Sequence, residues 1–391
     1  MTLIIAALLA PFILLTSCFA VEIFVGLRPL REAPVADERP SAVVIVPAHN
    51  EEAILADRLG GLKDAVGELA RILVVADNCT DSTAAIARKL GVEVIERADA
   101  DRRGKGFALD FAKQALEASP PAIILIIDAD CMIDRQSAGR LIARCLATGS
   151  PCQATNLQSP ALDSSPAVQL STFAFFIKNV IRQRALQRLA GRAHLLGTGM
   201  ALPWSIFQRA DLATSSIVED LKLGQELAEA GHAPGFIEDA IVWSNAETER
   251  NTLSQRSRWE GGFLQNALRA GPPFLIRSIV RADLRGAWAA INLMIPPFAL
   301  LLLLDFLALL LAVAVGWIAG ASQWPALALA TTIFLACIGL TLAWYAGGSR
   351  FVTIGGLARV PFYLLWKLPL YLGFARGGAP KEWLRTGRGD L

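Results

Sequence analysis

Between Ala287 and Gly320 the chain reads AWAAINLMIPPFALLLLLDFLALLLAVAVGWIAG, with a single charge, Asp305. Roughly 20 helical residues cross a hydrocarbon core about 30 Å thick, so this run must contain a membrane span. A second apolar run, WPALALATTIFLACIGLTLAWYAG, follows the uncharged connection GASQ. Arg269, Arg277, Arg281 and Arg285 precede the pair, and Arg350 and Arg359 follow it. The positive-inside rule therefore makes the pair a hairpin with both bases in the cytoplasm. The first residues, MTLIIAALLAPFILLTSCFAV, are also uncharged up to Glu22. A cleaved signal peptide competes with an anchor here, and LTSC at Cys18 has the look of a lipoprotein cleavage site. No Lys or Arg stands ahead of the apolar run, which favours a retained anchor with its N-terminus outside and its basic exit, LRPLRE, inside.

The remaining apolar stretches are less decisive. Asp305 is costly at mid-membrane unless it faces a partner or a polar path. FLIRSIVRADLRG is amphipathic and basic, as an interfacial helix is. VPFYLLWKLPLYLGFA is broken by Lys367 and Pro369 and followed by the basic KEWLRTGR, which reads as an interfacial or re-entrant helix and leaves three transmembrane helices in all.

From Pro40 to about Leu268 the pattern changes. SAVVIVPAHN, RILVVADN and AIILIIDAD each read as a buried strand with a polar end, and AILADRLGGLKDAV and STAAIARKLG read as helices between them, the second capped near Asp81 and Ser82 and closed by Gly91. This alternation predicts an α/β domain with a parallel sheet, whose ligands collect at the strand ends. Net charge is only +2 and no arginine stripe with interleaved aromatics occurs, which argues against nucleic acid as a partner. The six cysteines lack CxxC spacing and the three histidines stand far apart, so a zinc site is not expected and reduced, structural thiols are.

The strand ends carry the chemistry. Asp128 and Asp130 follow a very apolar strand, and two carboxylates so placed suit Mg²⁺ or Mn²⁺ with a diphosphate as co-ligand. Asn50 and Glu51, after Pro47 in VPAHNEE, suit a ribose or base edge or else a helix cap. Asp77 suits a nucleobase N–H or a turn with Asn78. Arg102, Arg103 and Lys105 among glycines form a phosphate cradle. Glu219 and Asp220 open a helix, as capping acids or with one as a general base. HLLGTGMALP looks too flexible for a core strand and suits the floor of an acceptor pocket. In TLSQRSRWEGGFLQ, Gln255, Arg258 and Trp259 share one helical face.

In this order, PAHNE, VVADNCTD, GKG, DAD, ED and QRSRW resemble the motifs of the membrane-integrated family 2 glycosyltransferases with a GT-A catalytic domain, the group of the cellulose, chitin and hyaluronan synthases and ceramide glucosyltransferase. The resemblance covers about residues 40 to 290. It implies a UDP-sugar donor bound with Mg²⁺ or Mn²⁺ through Pro47, Asn50, Glu51, Asp77, Lys105, Asp128 and Asp130, with Asp128 and Asp130 on the metal. It implies Asp220 as general base, Gln255, Arg258 and Trp259 beside the diphosphate and acceptor, and Gly199, Glu219 and Trp259 as acceptor contacts. It further implies a bacterial inner-membrane enzyme organised as an anchor over 1–25, a cytoplasmic GT-A domain over 38–268, an interfacial helix over 269–287, a transmembrane hairpin over 288–348, and an interfacial helix with basic tail over 349–391. A growing glycan is the expected acceptor, a lipid the alternative, and a silent assembly subunit the third reading. Membrane lipids, glycan-export or assembly proteins and a second copy are the expected partners. RFVTIGG at 350–356 echoes the gating loop of the cellulose synthases without its lysine and is read as chance.

Overall fold

The computed structural model describes residues 1–32, 40–216, 218–245 and 249–376, the side chains of 249–256, 258 and 375 excepted. The elements follow in the order α1 (Thr2–Gly26), β1 (Ala42–Ala48), α2 (Glu52–Val66), β2 (Arg71–Asp77), α3 (Thr83–Lys89), β3 (Glu93–Arg97), α4 (Lys105–Leu116), β4 (Ile123–Ile126), β5 (Cys131–Ile133), α5 (Arg135–Thr148), β6 (Cys152–Gln158), α6 (Pro166–Phe176) and α7 (Arg182–Ala190). Then come β7 (Met200–Pro203), α8 (Trp204–Phe207), α9 (Glu219–Glu229), β8 (Gly235–Ser244), α10 (Glu249–Val280), α11 (Leu284–Met294), α12 (Phe298–Ile318), α13 (Trp324–Tyr345), α14 (Ile354–Leu357) and α15 (Val360–Ala375). The chain divides into an α/β unit, Pro29–Ser159 with Gly191–Ala246, and a helical unit, Met1–Arg28 with Pro160–Ala190 and Glu247–Pro380.

In the α/β unit one sheet runs in the order β3-β2-β1-β4-β7-β6-β8-β5. The expected strands at β1, β2 and β4 are present, parallel, and buried on both faces, as their unbroken Val/Ile/Leu runs require. The sheet is mixed rather than parallel, because β7 pairs antiparallel with β4 and β6, and β5 with β8. The expectation that HLLGTGMALP is no core strand is corrected: Met200–Pro203 is buried between β4 and β6. Its glycines stand just ahead of it, Gly197 at φ 84° and Gly199 at φ 67°, where the chain turns into the sheet. A Cβ on Gly199 would lie 2.9 Å from both Ala154 Cβ and Val242 Cγ2, so the backbone approaches β6 and β8 too closely for any other residue.

In the helical unit α1, α12 and α13 are long and apolar enough to cross a membrane. Asp305 is fully buried, and its Oδ2 accepts a hydrogen bond from Thr16 Oγ1 at 2.7 Å, so the mid-helix acid of α12 is met by a polar residue of α1. Near the other end of α1, Glu22 takes Arg182 Nε at 2.7 Å and Asn292 Nδ2 at 2.6 Å, which ties α1 to α7 and α11. Arg184 and Arg188 donate to the carbonyls of Gly26 and Val25, capping the negative end of the α1 dipole. RFVTIGG is anchored, with Phe351 stacked on Phe176 at 5.3 Å and Gln169 Oε1 accepting from Thr353 N.

Residues 160–190 group with the apolar helices. α10 runs unbroken from Glu249 to Val280 through Pro272 and Pro273. Asp283 caps a separate helix, α11, through Gly286 N at 2.9 Å, and Pro296–Pro297 separate it from α12, which begins at Phe298.

Candidate active site

The C-terminal ends of β1, β2 and β4, three neighbours in the sheet, bring the predicted residues Asn50, Asp77, Asp128 and Asp130 to one edge of the α/β unit. Asp77 ends β2 and is buried, in register with Arg97 at the end of β3. Its Oδ1 accepts from Arg97 Nη1 at 2.7 Å and Asn78 Nδ2 at 3.0 Å. Its Oδ2 accepts no hydrogen bond among the described residues, which leaves an oriented acceptor open. Arg97 lies over the Phe107 ring at 5.5 Å and also meets Asp99 at 3.1 Å. Pattern reading missed Arg97, since only the strand register places it opposite Asp77.

Asn50 has φ 54° and uses its amide on the neighbouring strand end, accepting from Thr80 N at 2.7 Å and donating to Thr80 Oγ1 at 3.2 Å. Glu51 N donates to Thr83 Oγ1 at 2.8 Å, and His49 Nδ1 bonds the Asp77 carbonyl oxygen at 2.7 Å. The VPAHNE turn, with Pro47 inside β1 opposite Val75, thus braces the loop that carries Asp77.

Lys105, the first residue of α4, is the centre of charge. Its Nζ pairs with Asp128 Oδ1 and donates to the Gly197 carbonyl oxygen at 2.8 Å. Burial works against the ammonium, but the Asp128, Glu219 and Asp220 carboxylates outweigh it and raise the Lys105 pKa above its usual value. Glu219 and Asp220 open α9 as the sequence predicts. Glu219 is half-buried, and desolvation, then the charge of Asp220, push its carboxyl up to about 8, against the opposing pull of Lys105. Asp220 faces Gly197, where an added Cβ would stand 3.3 Å from Asp220 Oδ2 and 3.5 Å from Lys105 Nζ. The GTG turn is held in part by Gln153, which carried no sequence signal. Gln153 donates to the Thr198 carbonyl oxygen and accepts from Leu196 N, both at 2.9 Å, and Thr198 Oγ1 accepts from Asp128 N at 3.1 Å.

Asp128, Asp130 and Cys131 place ligand atoms within 4.8 Å of one another. The two carboxylates fit a hard divalent cation. Cys131 does not, because burial first and the adjacent aspartates second hold its thiol well above its usual pKa, and the thiol donates to Asp130 Oδ1 at 3.4 Å. Of the predicted residues in the helical unit, the side chains of Gln255 and Arg258 lie outside the described residues. The Trp259 ring packs against Phe175 of α6 at 5.9 Å.

Similarity to one solved structure supports the fold, and two others align over part of the chain. The mannosyltransferase PcManGT of Pyrobaculum calidifontis, solved with GDP-Man and Mn²⁺, aligns over 92% of this chain and 99% of its own, at 19% identity and TM-score 0.56. Glucosyl-3-phosphoglycerate synthase of Mycobacterium tuberculosis aligns over 56% of this chain and 78% of its own, at 19% identity and TM-score 0.36. Mannosyl-3-phosphoglycerate synthase of Rubrobacter xylanophilus aligns over 59% and 74%, at 20% identity and TM-score 0.39. No curated protein matches the chain in sequence. Residues 40–262, more than half of the chain, match the family described as glycosyltransferase like family 2. With its GT-A type α/β fold, the chain belongs to that family of glycosyltransferases.

Proposed function

We propose that the protein is an inverting glycosyltransferase that moves a sugar from a UDP-sugar to a growing glycan at the cytoplasmic face of a bacterial inner membrane. The observation that carries this reading is the cluster of Asp128, Glu219 and Asp220 around one ammonium, Lys105, with Asp130 close to Asp128. Asp128 and Asp130 offer carboxylate oxygens close together beside that ammonium, so the cluster suits a bound divalent metal with a diphosphate. A Mg²⁺ or Mn²⁺ ion held by Asp128 and Asp130 would offset the charge that grows on the leaving diphosphate. In the same reading the open Oδ2 of Asp77 accepts the uracil N–H, and Lys105 moves from Asp128 toward the diphosphate oxygens. The carboxylate of Asp220 takes the proton of the acceptor hydroxyl while that oxygen attacks the anomeric carbon and the bond to the diphosphate breaks. Glu219, whose raised pKa keeps it largely protonated at neutral pH, leaves Asp220 the charged member of the pair. Gln255, Arg258 and Trp259 serve the leaving group and the acceptor, with Gly199 and Glu219 beside the latter.

A lipid acceptor is the second reading, favoured by the small number of span-length helices among the described residues, three, from which to build a polymer channel. Incubation of the purified protein with labelled UDP-sugars, Mn²⁺ and membrane lipids separates the two. A ladder of product sizes supports the glycan reading, and a single product of fixed small mass replaces it with the lipid one. Transfer from GDP-mannose in place of every UDP-sugar would overturn the donor assignment while leaving the reaction class.

A further inference from the structure

The helix that carries QRSRW is gripped, within the helical unit, by a residue whose sequence context argues against it. In VPFYLLWKLPLYLGFA a lone lysine interrupts an apolar helix. Such a lysine ordinarily snorkels, burying its stem and keeping its ammonium in water. Lys367 instead is 2% exposed and pairs with Glu260 of α10, itself 9% exposed. Tyr371, one turn further along α15, donates its hydroxyl to the other Glu260 oxygen at 3.0 Å. Tyr363, one turn earlier, places its ring 5.4 Å from the ammonium, and the Tyr371 ring lies 5.8 Å away. Residues 363, 367 and 371 share one helical face. That face forms a fitted socket for one carboxylate.

Glu260 is the residue after Trp259. On a helix of 3.6 residues per turn the two side chains point about 100° apart, so fixing one fixes the rotation of the other. Trp259 meets Phe175 of α6 at 5.9 Å, and one turn on, Phe263 lies 5.8 Å from Lys178 Nζ in the π-helical turn Ile177–Ile181 that follows α6. α10 is thus held on one side by rings and a cation, and on another by a buried ion pair. An apolar contact tolerates small rotations, whereas a buried carboxylate with two oriented donors does not.

We infer that Lys367, with Tyr371, is a positioning residue for sugar transfer: by holding Glu260 it sets the rotation of α10 and so the aim of Trp259 and of the motif that shares its helix. This rests on the proposed role of QRSRW in transfer, and the test keeps the two apart. The full chain in detergent is labelled with 5-fluorotryptophan, and Trp259→Phe assigns the Trp259 resonance. Lys367→Met alone strands a buried carboxylate and risks misfolding, so the double variant Glu260→Gln/Lys367→Met, which removes both charges, carries the experiment. In the folded double variant the Trp259 resonance shifts or broadens while the other indoles stay. Turnover of UDP-glucose, UDP-N-acetylglucosamine or GDP-mannose, whichever the wild type uses, falls about 10- to 100-fold, the scale of a positioning error. Binding of UDP with Mn²⁺ is unchanged, and Lys367→Arg retains both the resonance and the turnover. An unmoved Trp259 resonance in the folded double variant overturns the inference. Wild-type turnover in the folded double variant overturns it as well; if Trp259→Phe is then impaired the role given to QRSRW survives, and if Trp259→Phe also turns over as the wild type that role falls too.

Discussion

Both units bury charge, and they do so differently. In the helical unit Glu22 is matched to Arg182 with Asn292, and Glu260 to Lys367 with Tyr371, each set neutral and closed by a hydrogen bond. In the α/β unit the Asp128, Glu219 and Asp220 carboxylates all act on the one ammonium of Lys105. A balanced set lowers the cost of its own desolvation and asks for nothing more. The second set is tolerable because Glu219 holds a proton and because it lies at the strand ends, where a bound cation would add positive charge.

The largest expected effect tests the Lys105 cluster. Asp220→Asn lowers the rate of sugar transfer about 100- to 10,000-fold, the range for a lost general base, with the melting temperature retained. Retained transfer would return Asp220 to the role of a capping acid. Next comes a balanced set: Arg182→Met strands Glu22 and costs about 3–5 kcal/mol of stability, whereas Glu22→Gln/Arg182→Met recovers most of it, as chemical denaturation would read. A double variant no more stable than the single one would show that this network is not closed. Gly197→Ala crowds Asp220 Oδ2 and Lys105 Nζ in a left-handed backbone position. We expect it to lose about 10-fold in turnover and roughly 1–2 kcal/mol in stability, measured side by side.

The smallest effect is a pH dependence. The Glu219 carboxyl sits at about 8 in the folded chain against a usual value near 4.5, so between these values the folded state binds a proton that the unfolded state has released. Its contribution to stability is whole below about 4.5 and is lost as the pH rises through 8. Glu219→Gln therefore flattens the fall in melting temperature from pH 6 to pH 9. An unaltered slope would mean that another group titrates.

Much of the site was legible because strand ends declare themselves. Apolar runs that stop at Asp77 and Asp128 fix the edge, and the Glu219–Asp220 pair at a helix start lies where the pattern puts it. What failed was whatever depends on which surface an element meets. The helices from Pro166 to Ala190 are apolar enough for either unit, and periodicity does not say which they join. Met200–Pro203 was hidden by glycines that belong to the turn before it. Arg97 and Gln153 matter through register and packing, and neither has a local sequence signature. Lys367 reads in sequence as an interruption of an interfacial or re-entrant helix, because its carboxylate partner, Glu260, lies more than a hundred residues away in the chain.

The cluster of Asp128, Glu219 and Asp220 around Lys105, with Asp130 beside Asp128, is proposed to be a donor site completed by a metal. Calorimetric titration of UDP into the purified full chain, with and without Mn²⁺ and in wild type and Asp130→Ala, tests it directly. Binding is expected to require Mn²⁺ in the wild type and to be lost in Asp130→Ala. Equal binding of UDP without the metal, or undiminished binding in Asp130→Ala, would contradict it.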